Sequence, residues 1–90
     1  MIQVTIDCAE IKDRAAFHHL FAARLHLPKW YGENLDALYD CLTDLHQKTT
    51  LNLIHVQDLI NSLDSYGRAA INMIEQAERE NSEYLTVNMI

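Results

Sequence analysis

The side chains most able to do chemistry are four carboxylates in a stretch without Lys or Arg: Glu33, Asp36, Asp40 and Asp44. The 13 acids and 7 bases of the chain give a formal net charge of −6, and this stretch of four acids supplies −4 of it. The three aspartates recur every four residues, so on an α-helix they lie within about 80° of one another. One such face is suited either to acid–base catalysis or to binding a cationic group.

The rest of the sequence favours binding over catalysis. Two carboxylates work as acid and base only where their surroundings separate their pKa values, and an open, like-charged face provides no such pocket. The sequence has no glycine-rich phosphate loop, nucleophile elbow or metal motif. We interpret its five histidines as surface residues or hydrogen-bonded core residues. We therefore expect no enzymatic activity, cofactor or metal.

A solvated helix face is the alternative explanation of the acidic stretch. Two features weigh against it. Like charges four residues apart destabilise a helix, and no basic residue relieves them here. Asp40 and Asp44 also lie toward the predicted C-terminal end, where negative charge opposes the helix dipole. Both interpretations stay open from the residues alone, with a functional acidic patch favoured.

Three aromatic residues flank the acidic stretch. Trp30 and Tyr31 lie in a predicted loop, Pro28 to Gly32, where both look exposed, and Tyr39 lies on the flank of the predicted helix. We interpret Tyr31 as an anchor of the loop to the core. Aromatic residues are enriched as anchors at protein interfaces, so we assign Trp30 and Tyr39 to a binding surface.

Length and composition predict one globular domain, residues 1–90, with 49% hydrophobic and 22% charged residues. The negative charge argues against free nucleic acid as a partner, because phosphate binding needs clustered Lys and Arg. No secretory signal and no apolar run near the ~20 residues of a membrane span is visible, so we expect a cytoplasmic protein. Cys8 and Cys41 are predicted to be reduced thiols, with a single bridge between them left open.

Hydrophobic periodicity predicts an α/β fold, a three-stranded parallel sheet with about four helices packed mainly on one face. Strands separated by helices pair in parallel through right-handed crossovers, and cleanly alternating outer strands indicate one exposed face. Asn34 is the predicted N-cap of the second helix and Ser65 that of the fourth. The predicted strands are Ile2–Ile6, Thr50–Val56 and Tyr84–Ile90, and the predicted helices are Arg14–Leu25, Leu35–Asp44, Gln57–Ser62 and one from Ser65 to about Glu80.

The segment Leu27–Thr43, LPKWYGENLDALYDCLT, closely resembles the signature of the barstar family, the intracellular inhibitors of barnase-type ribonucleases. The match is long and specific in this segment and much weaker elsewhere. The resemblance implies a barstar-like fold and a partner that is a small basic ribonuclease. It implies a monomer when free and a 1:1 complex with the nuclease, in a role like that of an immunity protein or antitoxin. A non-inhibitory adaptor that binds another basic protein through the same acidic patch is the alternative.

The resemblance also implies roles for individual residues. Asp40 would enter the phosphate-binding pocket of the nuclease, and Asp36 would pair with a second basic group. Trp30 stands where the family has a tyrosine that packs on the catalytic histidine, and Tyr39 stands where it has a tryptophan. Flanking contacts are implied for Asn34, Leu35 and Thr43, with close backbone approach at Gly32.

The chain departs from the family pattern at two further sites. Asp44 replaces a glycine and adds charge to the binding surface. Gln76, with Glu75 beside it, replaces a glutamate on the last helix, and which of the two contacts the partner stays open.

Overall fold

The computed structural model describes residues 1–90 and has three strands and four α-helices, which confirms the predicted α/β fold. The elements follow the order expected from the sequence, with a short 3₁₀ helix, Cys8–Glu10, after the first strand. No helix has the length and apolar character needed to cross a membrane. The elements are β1 (Ile2–Asp7), α1 (Arg14–Leu25), α2 (Leu35–Thr43), β2 (Thr49–Ile54), α3 (Val56–Leu63), α4 (Ser65–Glu80) and β3 (Leu85–Met89).

The sheet has the order β1-β2-β3, and both pairings are parallel. Val4, Leu51 and Val87 lie side by side across it, and their neighbours in sequence point to the other face. Val4 and Leu51 are buried, whereas Thr5 and Asn88 on the other face are exposed. The helices therefore cover one face, as the clean alternation of the strands predicts.

Burial of the leucines in α2 fixes which way its acids point. Leu38 and Leu42 are fully buried in the same core cluster as the two phenylalanines of α1 and Ile74 of α4. Because residues about 180° from the leucines must face solvent, Asp36 and Asp40 are turned outward. Both cysteines are free thiols, and burial raises the pKa of Cys8 to about 11.

Several predicted boundaries differ from the structure by one or two residues, and three of them have a clear structural cause. α2 ends at Thr43, and Asp44 is its C-cap, with its N–H donating to the carbonyl oxygen of Cys41 at 3.3 Å. His55 adopts a left-handed conformation that ends β2, so Val56 begins α3 instead of extending the strand. The N-cap of α4 is Asp64, at positive φ, rather than Ser65.

Candidate protein-binding site

The loop before α2 turns one aromatic ring inward and one outward. The N–H of Tyr31 donates to the carbonyl oxygen of Pro28 at 3.0 Å, which closes a turn. Tyr31 is 8% exposed, and its hydroxyl lies 2.6 Å from Nδ1 of His18. Trp30 is 81% exposed. The interpretation of Tyr31 as an anchor is therefore confirmed, and Trp30 is available to a partner.

Asn34 connects this loop to α2 as predicted. Its Oδ1 accepts the N–H of Ala37 at 2.7 Å, and its Nδ2 donates to the carbonyl oxygen of Gly32 at 3.2 Å. A Cβ at Gly32 would lie 3.2 Å from Nδ2 of Asn34, and the φ angle of Gly32 is not positive. Gly32 is therefore favoured because a side chain would crowd the cap, not because the backbone needs an unusual conformation.

Three exposed carboxylates line the outer side of α2 and its C-cap. Those of Asp36 and Asp40 form no hydrogen bond or ion pair within the chain, and that of Asp44 lies 3.9 Å from Nε2 of His46. No Lys or Arg pairs with any of the three. Charged groups left free in this way are available to cations of another molecule.

α2 forms a ridge between two open grooves. The loop groove lies between α2 and the preceding loop, with a volume of about 480 Å³. The helix groove lies between α2 and α4, with a volume of about 370 Å³. Asp40 and Asp44 line the loop groove and Asp36 lines the helix groove, so negative charge is present on both sides of the ridge.

All ten residues predicted for the site lie on or beside this ridge. Asn34 caps α2 at the N-terminal end of the ridge. The loop groove is lined by Trp30, Gly32, Asp40, Thr43 and Asp44, and the helix groove by Leu35, Asp36, Tyr39 and Gln76. The structure thus brings together residues from a loop, from α2 and from α4.

Comparison with known proteins identifies the family. The sequence model of a family described as Barstar (barnase inhibitor) matches residues 1–89. This chain belongs to the barstar family. It is also similar to the "Putative ribonuclease inhibitor YrdF" of Bacillus subtilis (strain 168), with 32% identity over 81 residues that cover 89% of each chain. The resemblance predicted from the segment Leu27–Thr43 is confirmed.

Several residues that line the two grooves were not among the site residues predicted from the sequence. Ala37 and Cys41 line the loop groove, and Met73 lines the helix groove. Ala37 and Cys41 follow the acids by one residue each, so the helical spacing placed them on the adjoining flank. Met73 precedes Gln76 by three residues and shares its face of α4. In each case the helical spacing alone, and not a charged or aromatic side chain, indicated that the residue lies at the groove.

Thr43 and Glu33 have partners within the barstar fold. The hydroxyl of Thr43 donates to the carbonyl oxygen of Tyr39 at 2.8 Å, so it stabilises the last turn of α2. Oε1 of Glu33 lies 3.0 Å from Nε2 of His19. One of the four acids counted in the patch therefore already has an ion-pair partner within the chain, at the surface.

The histidines occupy the two environments predicted for them. His18 is buried, and its ring nitrogens lie 2.6 Å from the hydroxyls of Tyr31 and Tyr66. Burial lowers its pKa, which favours the neutral ring. The other four histidines are exposed. The exposed carboxylates of the ridge have no enclosing pocket, so the arrangement is chemically suited to binding cations.

Proposed function

We propose that this protein inhibits a small basic ribonuclease by covering the nuclease's active site with the ridge and the loop before it. The observation that carries the proposal is the set of three exposed carboxylates, unpaired with Lys or Arg, beside an exposed tryptophan. A ribonuclease active site must bind phosphate, and Lys and Arg bind carboxylates through the same charge-assisted hydrogen bonds. Membership of the barstar family and similarity to a relative named as a ribonuclease inhibitor support this function.

Asp40 is the proposed mimic of a substrate phosphate. It lies on the outer face of α2 and lines the loop groove, which Trp30 also lines. A basic side chain of the nuclease that entered this groove would meet Asp40 and Asp44 together. Asp36, on the other side of the ridge, would pair with a second basic group.

The aromatic residues are the proposed anchors of the complex. Large, rigid aromatic side chains near the centre of an interface carry much of its binding energy. Trp30 would pack on an aromatic ring in the nuclease's active site. Tyr39 and Gln76, which line the helix groove together, would contact the rim of the nuclease. Gln76 lines this groove whereas Glu75 does not, so we assign the α4 contact to Gln76.

The proposed complex is a 1:1 assembly in the cytoplasm. Two free thiols suit a reducing compartment. We propose that the chain performs no catalysis, because its exposed carboxylates lack a pocket that would set one pKa apart from another.

Titration of barnase with the purified protein tests the proposal. RNA cleavage should fall in proportion to added protein and reach zero near one equivalent. Asp40→Asn should shift the titration to higher concentration, whereas Asp58→Asn, an equal change of charge on α3 outside the ridge, should not. Equal effects of the two variants would show that only net charge matters. Binding to barnase without loss of cleavage would favour the adaptor.

A further inference from the structure

Helix α1 contacts the loop before α2 through two adjacent histidines. His18 and His19 point to different sides of α1, as consecutive residues of a helix must. His18 contacts Tyr31, and His19 contacts Glu33. The two contacted residues flank Gly32 in the sequence, and each is also adjacent to another residue of the proposed binding surface.

The contact of His18 is buried and fully hydrogen-bonded. Its Nδ1 and Nε2 each lie 2.6 Å from a tyrosine hydroxyl, that of Tyr31 in the loop and that of Tyr66 in α4. In a neutral imidazole one nitrogen donates and the other accepts, so one tyrosine accepts a hydrogen bond and the other donates one. The loop is thereby joined through α1 to α4.

The contact of His19 holds a backbone conformation that non-glycine residues seldom adopt. Glu33 has a φ of 52°. An L-residue pays a steric cost in this left-handed region, so it needs support from its surroundings. Its carboxylate receives that support 3.0 Å from Nε2 of His19. The conformation at Glu33 sets the direction in which the chain enters the cap at Asn34.

We propose that His18 and His19 are positioning residues that hold residues 30–34 in the conformation that binds the partner. Their contacts with Tyr31 and Glu33 keep the side chain of Trp30 exposed to solvent and Asn34 in position to cap α2. This inference rests on the proposed function, since it assigns these residues a part in the same surface. It also assigns the carboxylate of Glu33 to a contact within the chain, unlike the carboxylates of Asp36 and Asp40.

We call the contacts of His18 with Tyr31 and of His19 with Glu33 the clamp. Alanine substitutions of His19 and Glu33 test its exposed half. When only a fraction of molecules has the competent loop conformation, the apparent affinity falls by that fraction. We expect His19→Ala and Glu33→Ala each to weaken binding to barnase about five- to tenfold. The double variant should be no weaker than either, because both changes remove one contact. His19→Gln, which keeps a donor for Glu33, should retain affinity within about threefold.

His46→Ala is the matched control, since His46 also neighbours a terminal acid of the patch but touches no part of the loop. It should change affinity by no more than about twofold. One result would overturn the role of the His19–Glu33 contact. His19→Ala would bind barnase as tightly as the wild type or more tightly, while Glu33→Ala would bind more weakly. That pattern would show that Glu33 acts on the partner directly.

Tyr31→Phe and Tyr66→Phe test the buried half. Each removes one 2.6 Å contact to the same imidazole, and only the first contact reaches the loop. We expect both to lower the urea midpoint, but only Tyr31→Phe to weaken binding to barnase, about tenfold. Equal loss of affinity in the two variants would overturn a specific role of the loop contact.

Amide hydrogen exchange of the free protein separates this inference from the proposed function. The amide of Tyr31, bonded to the carbonyl oxygen of Pro28, should exchange at least about fivefold faster in His19→Ala and Tyr31→Phe. Amides of β2 should be unchanged in His19→Ala. If the protein fails to bind barnase but the Tyr31 amide responds in this way, the proposed function fails and the clamp stands. An unchanged Tyr31 amide in both variants would refute the clamp.

Discussion

Asp40→Asn should make the free protein more stable. Asp40 lies in the last turn of α2, its carboxylate has no hydrogen bond within the chain, and Asp36 lies one helical turn before it. Removing one like-charged pair contributes roughly 0.2–0.5 kcal/mol. Removing a negative charge from the C-terminal turn contributes ~0.3–1 kcal/mol. Asn and Asp have similar helix propensities, so the free energy of unfolding should rise by about 0.5–1.5 kcal/mol.

The same substitution should weaken the complex with the nuclease. Removing one partner of a buried charge pair at an interface costs ~2–5 kcal/mol, a range to which the barnase–barstar pair itself contributes. Asparagine keeps a hydrogen-bonding oxygen, so the lower part of the range applies. A loss of about 2–3 kcal/mol corresponds to binding about 30- to 150-fold weaker.

Urea unfolding of the free variant and its affinity for barnase measure the two effects separately. Asp58→Asn is the control, because Asp58 lies in the first turn of α3, where negative charge favours the helix. It should lower the free energy of unfolding and leave affinity unchanged. If Asp40→Asn destabilised the free protein, Asp40 would serve the fold, and the reasoning would be refuted. A more stable variant with unchanged affinity would show that Asp40 is not an anchor of the interface.

Four further predictions concern the ridge and the fold that supports it. Trp30→Ala should weaken binding to barnase by about 2 kcal/mol or more, but change the free energy of unfolding by less than about 0.5 kcal/mol in urea melts, because Trp30 is 81% exposed. Oε2 of Glu78 accepts the N–H of Val87 at 2.6 Å on an edge strand. Glu78→Ala should therefore lower the free energy of unfolding by about 1–2 kcal/mol without changing affinity, and Glu78→Gln should lower it less. Stopped-flow association with barnase should slow steeply between 0.1 M and 1 M salt, where the Debye length falls from about 10 Å to about 3 Å; rates that ignore salt would rule out steering by the acidic ridge. Because burial lowers the pKa of His18, its contribution to stability is present above the ordinary histidine pKa and is lost as pH falls through the lowered value. His55, whose pKa is raised by Asp7, contributes the opposite slope in the wild type and in His18→Gln alike. In urea melts from pH 7 to pH 5, the wild type should therefore lose more stability than His18→Gln, and equal losses would refute the His18 contribution.

The sheet and the acidic face were predictable because each follows from a local pattern. Alternation in β1 and β3 required one buried face, and leucines at helical spacing in α2 required the aspartates to point outward. The side-chain cap at Asn34 was predictable because asparagine satisfies the free N–H groups of a helix start.

Two of the element boundaries that were wrong lie where the backbone adopts unusual angles. His55 and Asp64 both have positive φ. Few non-glycine residues adopt this conformation, and no pattern in this sequence predicts it at these positions. Val56 continues the apolar run of β2 and so looked like strand, although the left-handed His55 separates the two. The end of α2 at Thr43 rather than Asp44 has a different origin, because the spacing of the acids continues past the last helical residue.

The long-range contacts of the site could not be predicted. His18 meets Tyr66 across 48 residues of sequence, and Met73 of α4 completes a groove with residues of α2. These meetings depend on how the helices pack, which a single sequence does not specify. The nearer contact of His19 with Glu33 was hidden for another reason, since Glu33 resembled the other acids of the patch in type and spacing.

Competition with an active-site ligand tests the central claim most directly. The affinity of the protein for barnase should be measured at increasing concentrations of a mononucleotide that occupies the nuclease's phosphate-binding pocket. If the ridge covers that pocket, the apparent Kd should rise linearly with mononucleotide concentration, in inverse proportion to the fraction of nuclease that the mononucleotide leaves free. An apparent Kd that stays constant up to saturation with the mononucleotide would show that the protein binds elsewhere and would contradict the account.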